Sequence, residues 1–284
     1  MMMNEQKQAR SEGSAFWLLV PAILLLIGLF GYPLLKVLIT SILDPGFTLA
    51  HYLRILDRPI YLTVLARTVE VSLIVTALCF LLGYPAAYYL AHCPPRLRTY
   101  LFLLILLPMW TSLLIRSYSW IVVLGKNGVI NLGLIQLGLI AEPLQMLYTT
   151  GTVYLAMVQI LLPIMILTCY GVMIKIDQGL VRAARVLGAS AWRAFATVYF
   201  PLSLAGVSTG AVIIFILAMG FFVTPALVGS RQDIMLGNLI ETQINQAVNL
   251  GFASALGLLL LAATIAVVML FRAVMRWRFS HASV

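Results

Sequence analysis

Residues 149–173 read TTGTVYLAMVQILLPIMILTCYGVM, a run without a single Asp, Glu, Lys or Arg. A helix crosses the roughly 30 Å apolar layer of a bilayer in about 20 residues. Inside lipid, backbone N–H and C=O groups must find their partners within the segment, so a continuous apolar run of this length is a helix. Five further runs flank it, at 15–42, 64–91, 100–124, 202–228 and 251–271. A membrane β-barrel would alternate apolar and polar residues over short segments, and these runs do not alternate. The expectation is an all-α integral membrane protein with six transmembrane helices. Prolines 21, 33, 85, 108, 163 and 225 fall within the runs, so kinked helices are expected.

Composition agrees. Of 284 residues, 62% are hydrophobic and 10% charged, against about 45–50% and 25% in soluble domains. A soluble or disordered chain is excluded. Six spans use up the length, which leaves a tail at 1–14, a membrane domain at 15–273 and a tail at 274–284. The apolar stretch Phe16–Leu35 is too long for a signal-peptide core and reads as a retained first span. Cys79, Cys93 and Cys169 are odd in number with no Cys-x-x-Cys spacing, so they read as small buried hydrophobes.

The net charge of +9 places the connections. With the N-terminus in the cytoplasm, segments 1–14, 92–99, 174–201 and 272–284 share one side. They hold 11 positive side chains, including Arg96, Arg98, Lys175, Arg272, Arg276 and Arg278, against three acidic ones, Glu5, Glu12 and Asp177. The positive-inside bias therefore puts both termini in the cytoplasm and explains the basic character without nucleic acid.

The longest cytoplasmic connection, between spans four and five, is 174–201, and from Lys175 it reads KIDQGLVRAARVLGASAWRAFATVYFP. It is too polar to span and too regular for a linker. Ala183, Ala184, Val186 and Leu187 sit on a helix-forming stretch that Gly188-Ala189-Ser190 interrupts, and Ser190 is placed to cap the next helix. Trp192, Phe195, Val198 and Tyr199 recur at helical spacing. Arg185 and Arg193 flank the turn. Two short helices with a tight turn are expected, their aromatic stripe offered either to a groove in a partner or to the lipid interface.

Here the sequence resembles a family. Arg182-Ala183-Ala184-x-x-x-Gly188, followed by Val198-x-Phe200-Pro201, is similar to the Glu-Ala-Ala loop of binding-protein-dependent ABC-importer permeases, with Arg182 where that family usually has Glu. Leu107-Pro108-Met109-Trp110-Thr111-Ser112, Leu114-Ile115-Arg116-Ser117-Tyr118 and Gly220-Phe221-Phe222-Val223-Thr224-Pro225 resemble spermidine/putrescine-type members. The resemblance implies import of a polyamine or a related small polar solute across the inner membrane. It also implies a coupling role for the 174–201 loop. The implied partners are a second, homologous permease, two cytoplasmic ATPases and a periplasmic binding protein. A secondary transporter and a non-transporting assembly subunit are the alternatives.

The chain has no G-x-x-x-x-G-K-[ST] phosphate loop, so ATP and Mg are expected on partner subunits. His51, His92 and His281 are scattered, and neither a metal set nor a catalytic triad is suggested. Candidates for the substrate path are ionisable or aromatic groups at membrane depth or near the outer face. Arg116 lies in the third run between Trp110 and Tyr118, and either lines the path or pairs with an acid. Glu70 follows Arg67 by three residues, either as a structural ion pair or as a contact for an amine. Phe221 and Phe222 mark a gate or ordinary packing, with Gly220 and Pro225 loosening the helix. Asp233 and Glu241, in the loop after the fifth run, attract a cation or dock the binding protein. Gly206-x-x-x-Gly210 suggests a close subunit contact.

Overall fold

The computed structural model describes residues 20–21, 23–44 and 46–280, with side chains through 275. The expected tail at 1–14 lies outside the described residues, as does the start of the first run. Among the described residues there is no strand. Six helical stretches are long and apolar enough to cross a membrane.

In chain order the helices are α1 (Ile23–Leu43), α2 (Ala50–Asp57), α3 (Pro59–His92), α4 (Pro95–Leu106), α5 (Leu113–Leu124), α6 (Val129–Gln136), α7 (Thr150–Met173), α8 (Gln178–Val186), α9 (Ala191–Met219), α10 (Val223–Val228), α11 (Leu236–Asn245) and α12 (Leu250–Ser280). They fall into two compact units, 1–58 with 240–261 and 59–239 with 262–284.

In the first unit the short helix α2 ties the end of α1 to the start of α12. Ser41 Oγ and Tyr52 Oη are 2.9 Å apart. The guanidinium of Arg54 lies 4.4 Å over the ring of Phe252. His51 Nε2 is 2.8 Å from the Asp44 carbonyl, and a Cβ on Gly251 would meet that imidazole at 2.6 Å, so only glycine fits the contact.

In the second unit α3, α7 and α9 pack side by side around Val71, Val75, Met157, Leu161, Met165 and Ile214, all buried. The backbones come close where side chains are absent. A Cβ on Gly83 would strike Met165 Cγ at 2.8 Å, and one on Gly206 would strike the Thr168 carbonyl at 2.8 Å. Gly206-x-x-x-Gly210 therefore serves a contact of α9 with α7 inside this chain, not the subunit contact suggested by its spacing. Cys79, Cys93 and Cys169 are free thiols, all buried, as their apolar surroundings imply.

Two expected runs are not single helices. Run 100–124 breaks at Leu107–Trp110, a 3₁₀ turn, with Thr111 and Ser112 extended. Pro108 has no N–H to give, and the Thr111 N–H and hydroxyl both bond to its carbonyl. The long apolar segment runs instead over Leu113–Gln136, interrupted at Gly128, where a Cβ would meet the Val122 carbonyl at 2.7 Å. Run 202–228 stops at Met219. The chain turns through Gly220–Phe222 and resumes as α10. The last run extends beyond 271, with α12 helical to Ser280.

Candidate functional site

The connection between α7 and α9 is built almost wholly by backbone capping. The Asp177 carboxylate accepts the Gly179 N–H at 2.7 Å and starts α8. At its other end the Ala189 N–H bonds to the Ala184 carbonyl and the Gly188 N–H to the Arg185 carbonyl, both at 3.0 Å. These two bonds make a Schellman stop. Gly188 sits in it with φ +93° and open space where a Cβ would be, so the glycine answers to backbone conformation and not to crowding. The stop explains the Ala184-x-x-x-Gly188 spacing, since the carbonyl that is capped lies four residues before the left-handed residue. Ser190 then accepts the Arg193 N–H at 3.2 Å and opens α9, as its position in the sequence suggests.

The second helix of the turn is not short. Ala191–Met219 is one helical stretch, so the arm of the turn is the root of the fifth span. A π turn at Phe195–Tyr199 allows this, with the Phe200 N–H reaching the Phe195 carbonyl immediately before Pro201. The widened turn absorbs a proline that has no N–H to continue the ladder.

The aromatic stripe faces inward. Phe195 stacks on Tyr199 with ring centres 5.8 Å apart, and Tyr88 and Tyr84 of α3 meet Phe195 edge-on. His92 lies 5.5 Å from Tyr199 and 3.2 Å from the Gln178 amide. Tyr84 Oη and Ser203 Oγ are 2.9 Å apart. The stripe thus anchors the turn to α3, which corrects the expectation of an aromatic face offered whole to a partner or to the lipid interface. What protrudes is Val186 at 86%, Leu187 at 88% and Trp192 at 74% exposure. Val186 and Leu187 read as helix formers in the sequence, and only the cap geometry places them at an open tip. Arg182, Ala183, Arg185 and Arg193 are exposed around it, with Ala184 and Ala189 half-buried at the stop. Among the described residues Arg182 has no carboxylate partner.

At the far end of α3 and α7, two candidate carboxylates meet on one guanidinium. Arg67 Nη1 donates to Glu70 at 3.0 Å and Nη2 to Asp233 at 3.1 Å. Asp233 is fully buried. Its oxygens also accept the Thr150 hydroxyl at 2.7 Å, the Ser230 hydroxyl at 2.6 Å and the Ser230 N–H at 3.0 Å. Burial alone would raise the Asp233 pKa, but these hydrogen bonds and Arg67 outweigh it and hold the carboxyl below its ordinary range. Asp233 is therefore not an open docking carboxylate, as its loop position suggests, but the knot that fixes the loop. Glu70 remains half-exposed. Glu241, on α11, accepts from Asn245 at 2.9 Å.

The Gly220–Phe222 break is clasped from the same loop. Asn238 donates to the Phe222 carbonyl at 2.7 Å and accepts the Met235 N–H at 3.0 Å. The sequence reading assigned Asn238 no role of its own, although it stands in the stretch Met235–Ile240 that resembles spermidine/putrescine-type permeases. Gly237 is itself pressed against the break, a Cβ there meeting Phe222 Cβ at 3.1 Å. Ser117 of α5 and Thr224 of α10 lie 3.0 Å apart and join the break to α5. A cavity of about 300 Å³ opens there, lined by Leu113, Leu217, Phe221, Phe222 and their neighbours. Arg116 stands one turn further along α5, half-buried, and its Nε has no partner among the described residues. Trp110 and Tyr118 are exposed. Phe221, Phe222 and the base of the Arg116 helix thus share one region, while Glu70 and Asp233 belong to another.

Residues 80–280 match the model of the family described as binding-protein-dependent transport system inner membrane component. The chain belongs to this family. It is the permease subunit of an ABC importer, a transport component of the inner membrane. The permease is 35% identical over 235 residues to the spermidine/putrescine transport system permease protein PotB of Escherichia coli, covering 83% of each chain. PotB of Salmonella typhi is equally similar, with 80% of its length covered. The inner membrane ABC transporter permease protein YdcU of Escherichia coli is 30% identical over 76% of the permease and 72% of the relative. In fold the permease is similar to a chain of a bacterial ABC transporter involved in the import of the acidic polysaccharide alginate. The TM-score is 0.72 at 15% identity, over 95% of this chain and 98% of that one. A second structure of an alginate transporter, in complex with an alginate pentasaccharide-bound periplasmic protein, gives 0.70 at 16% identity, over 93% and 94%.

Proposed function

We propose that the permease imports a polyamine or a closely related amine. It would pair with a second, homologous permease, with two cytoplasmic ATPase subunits that bind ATP and Mg and a periplasmic protein that delivers the solute. Both termini and the 174–201 connection face the cytoplasm. One observation carries the coupling role. The turn bearing Val186, Leu187 and Trp192 is capped as a rigid unit and runs without interruption into the fifth span. An apolar tip of this kind fits a groove in a partner, and a continuous helix transmits its displacement to the membrane. ATP shifts the helices between inward-open and outward-open arrangements only through differential binding to the two states.

The solute class rests on the relatives' spermidine/putrescine specificity, given in their names, at 35% identity. Aromatic faces and carboxylates suit an amine through cation–π contact and charge pairing. In this reading Phe221, Phe222, Trp110 and Tyr118 line the path, Glu70 stands near its outer mouth and Arg116 sets a limit on cation passage. Asp233 contributes only by holding the loop, and Glu241 is the carboxylate left for the binding protein. The test is reconstitution of the complete importer in proteoliposomes with its binding protein. The reading expects ATP-dependent uptake of labelled putrescine or spermidine that competes with unlabelled amine. Uptake of amino acids or sugars with no response to polyamines refutes the solute class. Uptake driven by an ion gradient without the ATPases refutes the importer mechanism.

A further inference from the structure

Two cavities on the face made by α3, α9 and the second half of α12 adjoin, sharing Ser208, Val212, Phe271 and Met275. The larger, about 660 Å³, is a trough between Leu73, Ala77, Phe80, Leu204, Ala211 and Val268 and is almost wholly apolar. The smaller, about 530 Å³, lies beside it and is lined by Thr209 and Arg272 among others. No Asp or Glu lines either cavity, and among the described residues Arg272 has no acidic partner. In sequence Arg276 and Arg278 follow on the same helix.

A cation without a counter-charge, set beside an apolar trough, has the form of a site for an amphiphilic anion. Arginine binds phosphate through several donors at once, and its long stem keeps the head polar while the rest packs in an apolar wall. Basic pockets between transmembrane helices are the places where anionic lipid headgroups lodge. We propose that the two cavities form one site for an anionic phospholipid, with an acyl chain along the α3–α9–α12 trough and the headgroup phosphate on Arg272. The trough touches Phe200, Pro201 and Leu204 at the root of the fifth span, so an occupant there packs against the arm that carries the coupling turn. A protein occupant, such as the second permease, would be expected to bring an acidic side chain to Arg272.

The experiment is native mass spectrometry of the intact, delipidated importer titrated with phosphatidylglycerol or with phosphatidylcholine of the same acyl chains. The expected result is one phosphatidylglycerol per copy of this chain that survives activation stripping other lipids, with phosphatidylcholine held more weakly. Removal of a charge-assisted contact in Arg272→Ala should lower phosphatidylglycerol occupancy by about tenfold, and Arg272→Lys should keep most of it. Ala77→Phe, an exposed position whose new ring would fill the trough, should lower binding of both lipids. Equal retention of the two lipids by the unaltered importer overturns the proposal, as does unchanged occupancy in Arg272→Ala. A cross-link from Arg272→Cys to the second permease, with no retained lipid, assigns the face to a subunit contact and also overturns it.

Discussion

The permease is held at its two ends by opposite means. At the 67–233 end, side chains do the work. One buried carboxylate gathers an arginine, two hydroxyls and a backbone N–H, and nothing of Asp233 is left for solvent. At the 177–201 end the backbone groups are what is held, by the Asp177 and Ser190 side chains and by the carbonyls of Ala184 and Arg185. Caps at Asp177, Gly188 and Ser190 fix a turn whose large apolar side chains at 186, 187 and 192 are left open. A buried polar knot is costly to loosen and offers no surface to a partner. A capped turn with an apolar tip is stiff and still incomplete. The difference makes the first end architecture and, in the proposed function, leaves the second as the contact for another chain.

The contrast breaks most readily at Gly188. Proline cannot adopt φ +93°, so Gly188→Pro should cost the turn about 3 kcal/mol and reduce ATP-driven uptake by roughly a hundredfold. Membrane insertion and basal ATPase activity of the complex should persist. Normal uptake would show that the turn's shape does not matter. Next in size is the knot. Asp233→Asn leaves Arg67 without its buried partner, a change worth about 2 kcal/mol after discounting the partly exposed arginine. Thermal unfolding of the detergent-solubilised importer should fall accordingly, whereas Glu70→Gln should do far less. Equal losses in the two variants would contradict the burial difference.

At the open tip, Leu187→Asp removes apolar surface from the contact that the proposed function assigns to the assembled importer. Uptake and substrate-stimulated ATPase activity should drop by about tenfold, with the stability of the chain unchanged. A drop in stability would mean that the tip packs within this chain. The smallest effect concerns pH. Because the Asp233 pKa is held below its ordinary value of 3.8, its contribution is present above that value and is lost as pH falls through the lowered one. Melting temperatures should therefore show no Asp233-dependent loss between about pH 8 and 5. A difference between the parent and Asp233→Asn that shrinks over this range would contradict the shift.

Much of this was legible in the residues. The charge-free run at 149–173 matches α7 to one residue, because a single uninterrupted helix needs only length and hydropathy. Ser190 as a cap and Gly188 as a stop were legible because capping is local chemistry. The runs at 100–124 and 202–228 were misjudged for one physical reason. Hydropathy does not register where local backbone geometry ends the ladder, as it does at Pro108 and at Gly220–Phe222. The fate of Asp233 was hidden for another reason, since Arg67 and Thr150 reach it from 166 and 83 positions earlier in the chain, and only Ser230 is a local partner. The stripe at 195 and 199 had the right period, but the residues it meets lie more than 100 positions earlier, on α3.

The most direct test of the coupling turn is site-specific cross-linking from its tip. The natural thiols Cys79, Cys93 and Cys169 are buried, so Leu187→Cys supplies a single accessible one. In the assembled importer it should cross-link to an ATPase subunit, and ATP should alter the yield. Labelling of that cysteine by an impermeant thiol reagent from the periplasmic side, with no cross-link to the ATPase, would contradict the account.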